Sequence, residues 1–160
     1  VASLMQLGKW FDYMRENGVY DNTRIILVAD HGRGLYLNWD RVIDNGPDTD
    51  FFFPLLMVKD FNAKGFSFSD TFMTTADVPT LATSGLIDNP TNPFTGNAIN
   101  ANAKYDRPFY AFMSYDWDTS KNNGNQFFPG TWYRVDNQNA RDKRNWVMVG
   151  ENTVLPDALR

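Results

Sequence analysis

Five consecutive apolar residues, Ile25-Ile26-Leu27-Val28-Ala29, stand between a polar turn and the glycine-punctuated run Asp30-His31-Gly32-Arg33-Gly34. The apolar run is too short for a helix, rich in β-branched residues, and shows no alternation of polar and apolar positions. That pattern predicts a strand buried on both faces. Upstream, Leu4, Leu7, Phe11 and Met14 recur at steps of three and four, with Trp10 alongside and Gln6, Lys9, Arg15 and Glu16 off the stripe. The spacing predicts an amphipathic helix from Ala2 to Asn17, stopped by Asn17-Gly18. Helix, short loop and buried strand together form the unit of an α/β sheet.

The length, 160 residues, gives room for one domain rather than two. With 42% apolar residues and a net charge of −4, the chain can bury a core and fits neither a basic nucleic-acid module nor a disordered acidic tail. There is no cysteine, which excludes disulfides, thiolate zinc sites and a cysteine nucleophile. His31 is the single histidine, so a site with two imidazoles cannot come from this chain alone. No run of 18 apolar residues is present, so no membrane span is expected. No signal peptide is expected either: Val1 opens directly on a patterned segment without an initiator Met, which suggests a piece of a longer protein.

Beyond the Asp-His-Gly run, Leu35 to Asp50 reads as irregular and polar. A second apolar run, Phe51 to Val58, contains Pro54, which predicts an edge strand or one that starts at Leu55. Ser67 to Ser69 is a candidate short strand. Phe72, Met73, Ala76, Leu81 and Ala82 predict a helix within Asp70–Leu86, capped near Asp70 and either broken or restarted at Pro79. Asp88 to Asp106 reads as a connecting loop. Aromatic and apolar runs at Phe109–Trp117, Trp132–Val135 and Trp146–Val149, with polar turns between them, predict a three-stranded meander packed by its aromatic face on a helix.

Asp30 and His31 are the best candidates for chemistry. A carboxylate and an imidazole at the exit of a buried strand can both turn toward one divalent cation, and the glycines at 32 and 34 let the backbone approach a ligand. The alternative is a turn with a hydrogen-bonded histidine. Asp116 and Asp118 around Trp117 read as a solvated strand end before a carboxylate pair. Tyr110, Tyr115, Trp117, Trp132, Tyr133 and Trp146 read as sheet core before a glycan platform. Arg141 to Arg144 reads as a surface turn, and Thr74-Thr75 as a helix start.

The run from Gly18 through Tyr20-Asp21-Asn22-Thr23 and the apolar strand to Asp30-His31-Gly32 resembles the alkaline phosphatase/sulfatase superfamily. Phe53-Pro54-Leu55-Leu56-Met57-Val58-Lys59 and Asp77-Val78-Pro79-Thr80-Leu81 are similar to further segments of that family. The resemblance spans about residues 4 to 100, and it is closest to the membrane-anchored phosphoglycerol transferases that include lipoteichoic acid synthases. It implies a partial sulfatase-like α/β sheet with helices over 1–105, followed by a small C-terminal antiparallel sheet over 106–160. It further implies that Asp30 and His31 ligate a divalent metal ion (Mn, Ca, Mg or Zn) and that Arg33 contacts a phosphate or sulfate ester. The family's nucleophile and another acidic ligand lie far upstream and match no position here. The remainder of the parent enzyme is thus the expected partner, the setting extracytoplasmic, and this segment alone inactive. No nucleic-acid contact is expected, and this segment requires no membrane contact. The competing reading is a non-catalytic carbohydrate- or cell-surface-binding module built on the aromatic sheet.

Overall fold

The computed structural model describes residues 2–35, 39–44, 46–114, 118, 120 and 128–159. The fold is mixed α/β: helices, a two-stranded antiparallel sheet, and a three-stranded antiparallel sheet at the C-terminal end. The chain divides into two compact units, Val1–Asp30 with Pro54–Ile99, and His31–Phe53 with Asn100–Arg160.

In the first unit, α1 (Ala2–Glu16) follows the predicted stripe from Leu7 onward. Met14 is buried, Leu7 and Phe11 are half-buried, and Leu4 is exposed. Gly18 ends the helix at φ +69°. Its N–H donates to the Arg15 carbonyl at 3.1 Å and that of Val19 to Met14 at 3.0 Å, the paired closure that uses up orphan helix carbonyls. The strands β1 (Ile25–Val28) and β2 (Leu56–Lys59) then pair antiparallel, Ile25 opposite Lys59 and Val28 opposite Leu56. Pro54 stands just outside β2, as its missing N–H requires.

The expectation that β1 is buried on both faces is not met. Ile25 is buried, but Val28 is 45% exposed, as are Met57 and Val58 to a similar degree on β2. A two-stranded ribbon has no interior strand, so a continuous apolar run cannot be enclosed by it. No strand forms at Ser67–Ser69. The helix expected from Asp70 starts later: a 3₁₀ turn at Thr75–Asp77 runs into α2 (Val78–Thr83), with Pro79 in its first turn. Thr74, rather than Asp70, forms the cap, its N–H donating to Asp77 Oδ2 at 2.7 Å.

In the second unit, β3 (Phe109–Met113), β4 (Gly130–Val135) and β5 (Trp146–Thr153) form a meander in chain order. Ala111 faces Tyr133, and Val135 faces both Phe109 and Trp146. Ala111, Tyr133, Val135 and Trp146 are the buried core. The expected helix over this face is instead a single 3₁₀ turn, Thr49–Phe52, whose Phe52 ring lies 5.0 Å from that of Trp146, joined by Ile43 and Ala140. Asp48 caps that turn by accepting from the Asp50 N–H at 3.0 Å.

Candidate functional site

The last ladder contact before the candidate site is the Ala29 N–H, which donates to the Leu55 carbonyl at 2.9 Å. Asp30 follows it as an exposed residue and closes the first unit. His31 opens the second unit and is also exposed, so its imidazole is not sealed inside packed side chains. Arg33 is exposed and belongs with His31 to the second unit.

His31 Nδ1 lies 2.6 Å from the Gly32 carbonyl oxygen. A carbonyl oxygen can only accept, so the nitrogen in this bond carries the proton. In the neutral ring the lone pair then sits on Nε2. A backbone carbonyl on one imidazole nitrogen is the arrangement that orients the other toward a metal.

Gly32 and Gly34 are demanded by packing within the chain. The close approach they permit is to the chain itself. The Gly32 N–H donates to the Phe51 carbonyl at 2.9 Å, and a Cβ at this position would stand 2.0 Å from the Asp50 carbonyl oxygen and 2.6 Å from that of Phe53. A Cβ at Gly34 would meet the Phe51 ring at 2.6 Å and Asp48 Cβ at 2.9 Å. The segment after His31 is thus laid directly on residues 48–53. That stretch is itself held by Arg41, whose Nη1 donates to Asp50 Oδ1 at 2.5 Å.

Among the described residues, no group of three or more His, Cys, Asp or Glu side chains is placed to hold a metal. The donors fit half a coordination shell at most: one hard carboxylate, Asp30, and one imidazole nitrogen, His31. Among the other sequence candidates, Tyr133 and Trp146 are buried at 4% and 6% exposure and serve as core. Tyr110 and Trp132 lie on the opposite sheet face, half-buried. Tyr115, Asp116 and Trp117 lie outside the described residues, and Asp118 is exposed. Arg141 to Arg144 forms a surface turn in which Arg144 Nη2 meets Asp142 Oδ2 at 2.5 Å. That hydrogen bond, with one from the Arg144 N–H, holds the Asp142 carboxyl down to about 2.

Two features escaped the sequence. Arg24, immediately before β1, donates to Asp60 and to the carbonyls of Leu81 and Ser84. Asp48 and Thr49 are buried at 1% and 0% exposure, although their surroundings read as a polar turn. A single arginine before a strand and an Asp-Thr pair after a proline carry no local signal for such roles.

Comparison of the chain with protein-family models, with curated proteins and with solved structures finds no match. Among the described residues, no helix is long and apolar enough to cross a membrane.

Proposed function

We propose that this chain supplies the Asp30–His31 ligand pair of a metal-dependent, sulfatase-like hydrolase or phosphoglycerol transferase acting on phosphate or sulfate esters. The observation that carries the reading is the 2.6 Å contact of His31 Nδ1 with the Gly32 carbonyl, on an exposed imidazole just past a strand exit. In the neutral ring that bond puts the acceptor lone pair on Nε2, and the neighbouring Asp30 is the second proposed donor through its carboxylate. A divalent ion, when bound, polarises ester oxygens and lowers the pKa of a hydroxyl nucleophile. Arg33, on the same segment as His31, is suited to contact the ester's anionic oxygens.

Two donors bind a cation weakly. The remaining ligands and the nucleophile are assigned to polypeptide upstream of this segment, in an extracytoplasmic enzyme, so the chain alone is expected to be inactive. The apolar surface left open on β1, β2 and the first half of α1 supports such a partner.

Titration with Mn²⁺, followed by NMR line broadening, tests the pair. Selective broadening around Asp30 and His31, lost in Asp30→Ala and in His31→Ala, is expected. Broadening spread over surface carboxylates and unchanged in both variants would refute the assignment.

A further inference from the structure

A cleft of about 570 Å³ opens in the second unit, between Tyr105–Pro108 on one wall and Asp136–Gln138 on the other. It shares no residue with Asp30–Gly34, so it stands or falls apart from the metal reading. Its first wall leaves the 3₁₀ turn Ala103–Tyr105 and enters β3; its second wall is the turn that follows β4.

The second wall is a tight, hydrogen-bonded turn. Asn137 and Gln138 are both left-handed, at φ +56° and +52°, a conformation that Gln rarely adopts unless its surroundings impose it. The Gln138 side chain ties the walls together, its Nε2 donating to the Tyr105 carbonyl at 2.8 Å. The Asp136 carboxylate is held from behind by Arg134, with Nε at 2.8 Å and Nη2 at 3.0 Å on its two oxygens. The Asn137 amide donates to Asn145 Oδ1 at 3.1 Å, which leaves its own carbonyl oxygen available as an acceptor.

On the first wall, Asp106 and Arg107 are exposed and make no side-chain hydrogen bond or ion pair among the described residues. The cleft lining therefore includes an uncommitted carboxylate and an uncommitted guanidinium on consecutive residues, flanked along the chain by Tyr105 and Pro108. With Asp136 neutralised by Arg134, the lining has no surplus of either charge and favours neither an anion nor a cation. What satisfies it is a neutral molecule whose neighbouring groups both donate and accept, and which has a C–H face for the rings. Vicinal hydroxyls on a pyranose meet that description: one donates to Asp106 while its neighbour accepts from Arg107.

We propose that this cleft binds a neutral pyranose, with Asp106, Arg107 and Asn137 as its polar contacts and Tyr105 and Pro108 as its apolar ones.

The test is a ¹⁵N NMR titration of the chain with methyl glucoside, methyl mannoside and methyl galactoside, beside sodium sulfate and glycine. At least one glycoside should shift Arg107, Asn137 and Gln138 saturably at up to about 50 mM, the range in which a millimolar site fills. Asp106→Asn and Arg107→Gln should each weaken that binding about tenfold, the loss of one charge-assisted hydrogen bond. Both positions are exposed, and the spectrum itself reports folding. Should either variant unfold, Asn137→Gly keeps the left-handed turn and removes the amide acceptor, with the same weakening expected. The proposal is overturned if no glycoside shifts these residues, if the shifts survive all three substitutions, or if sulfate or glycine alone produces them.

Discussion

Arg24 Nη1 stands 2.7 Å from the carbonyl oxygen of Ser84, sixty positions along the chain, and 2.8 Å from that of Leu81. The same guanidinium bonds Asp60 Oδ1 at 2.9 Å and lies 4.8 Å over the Phe61 ring. One side chain thus caps the C-terminal end of α2 and pins it to the end of β2. The Arg24 side chain is only 11% exposed, and removing it forfeits its bonds to Leu81, Ser84 and Asp60 together. Arg24→Ala is expected to lower stability by about 2–3 kcal/mol, the usual range for charge-assisted bonds. Arg24→Lys should recover less than half of that, since a single ammonium cannot reach three acceptors in a fork. Urea unfolding of the two variants measures both values.

Asp60 and Asp142 make the folded state sensitive to acid. The Arg24 hydrogen bond holds the Asp60 carboxyl below its ordinary 3.8, and Arg144 holds that of Asp142 at about 2. A folded-state pKa below the unfolded one means a contribution fully present above the unfolded value and lost as pH falls through the folded one. For Asp142 that window runs from 3.8 down to about 2. Carboxyl ¹³C shifts followed against pH should give these midpoints, and Arg144→Gln should move that of Asp142 back toward 3.8. A Asp142 midpoint indifferent to residue 144 would contradict the assignment.

The glycines after His31 give a sharp contrast with Gly8. A methyl group at Gly32 meets backbone oxygens of Asp50 and Phe53, which cannot swing aside. Gly32→Ala is therefore expected to cost about 3 kcal/mol, the upper part of the overpacking range, and Gly34→Ala about 2 kcal/mol. Gly8, in the middle of α1, has nothing within 4 Å of such a methyl. Gly8→Ala should stabilise the helix by about 1 kcal/mol. Thermal melts of the three variants rank them, and the order is the readout.

Metal affinity should follow the imidazole. His31→Ala and Asp30→Ala should each reduce Mn²⁺ affinity by about tenfold or more, the scale on which disturbed ligand sets lose metal. Calorimetry at fixed pH gives that ratio. Phosphodiester and sulfate ester assays of the chain with Mn²⁺ or Ca²⁺ should show no turnover, and robust activity would show that the nucleophile is already present in it.

Trp146 joins core packing to a hydrogen bond: its Nε1–H donates to the Ala140 carbonyl at 2.8 Å, and its ring meets Phe52 and Tyr133. Trp146→Ala should destabilise by about 3–5 kcal/mol. A chemical-denaturation midpoint within error of the parent's would mean that this core does not hold the meander together.

Elements with strong local codes were legible before any coordinates. The three- and four-residue spacing and Asn17-Gly18 marked α1 and its end, the β-branched run marked β1, and the aromatic runs between Asn and Gly turns marked the meander and its order. The limits appeared wherever a partner was needed. The run at residues 25–29 reads as enclosed, yet β1 has one neighbour and an exposed Val28. The helix within Asp70–Leu86 was visible, but its start depended on whether Thr74 or Asp70 met a carboxylate at the right distance.

The candidate site divides in the same way. Residue types and order alone put a carboxylate, an imidazole and an arginine just past a strand, because chain neighbours stay neighbours in any fold. Only the tertiary structure decided that Gly32 and Gly34 make room for residues 48–53, that His31 Nδ1 takes up the Gly32 carbonyl, and that Arg24 reaches Ser84. The first and last depend on which distant groups lie within reach, and the histidine contact on the backbone angles that turn the next carbonyl toward its ring; local periodicity holds no record of either.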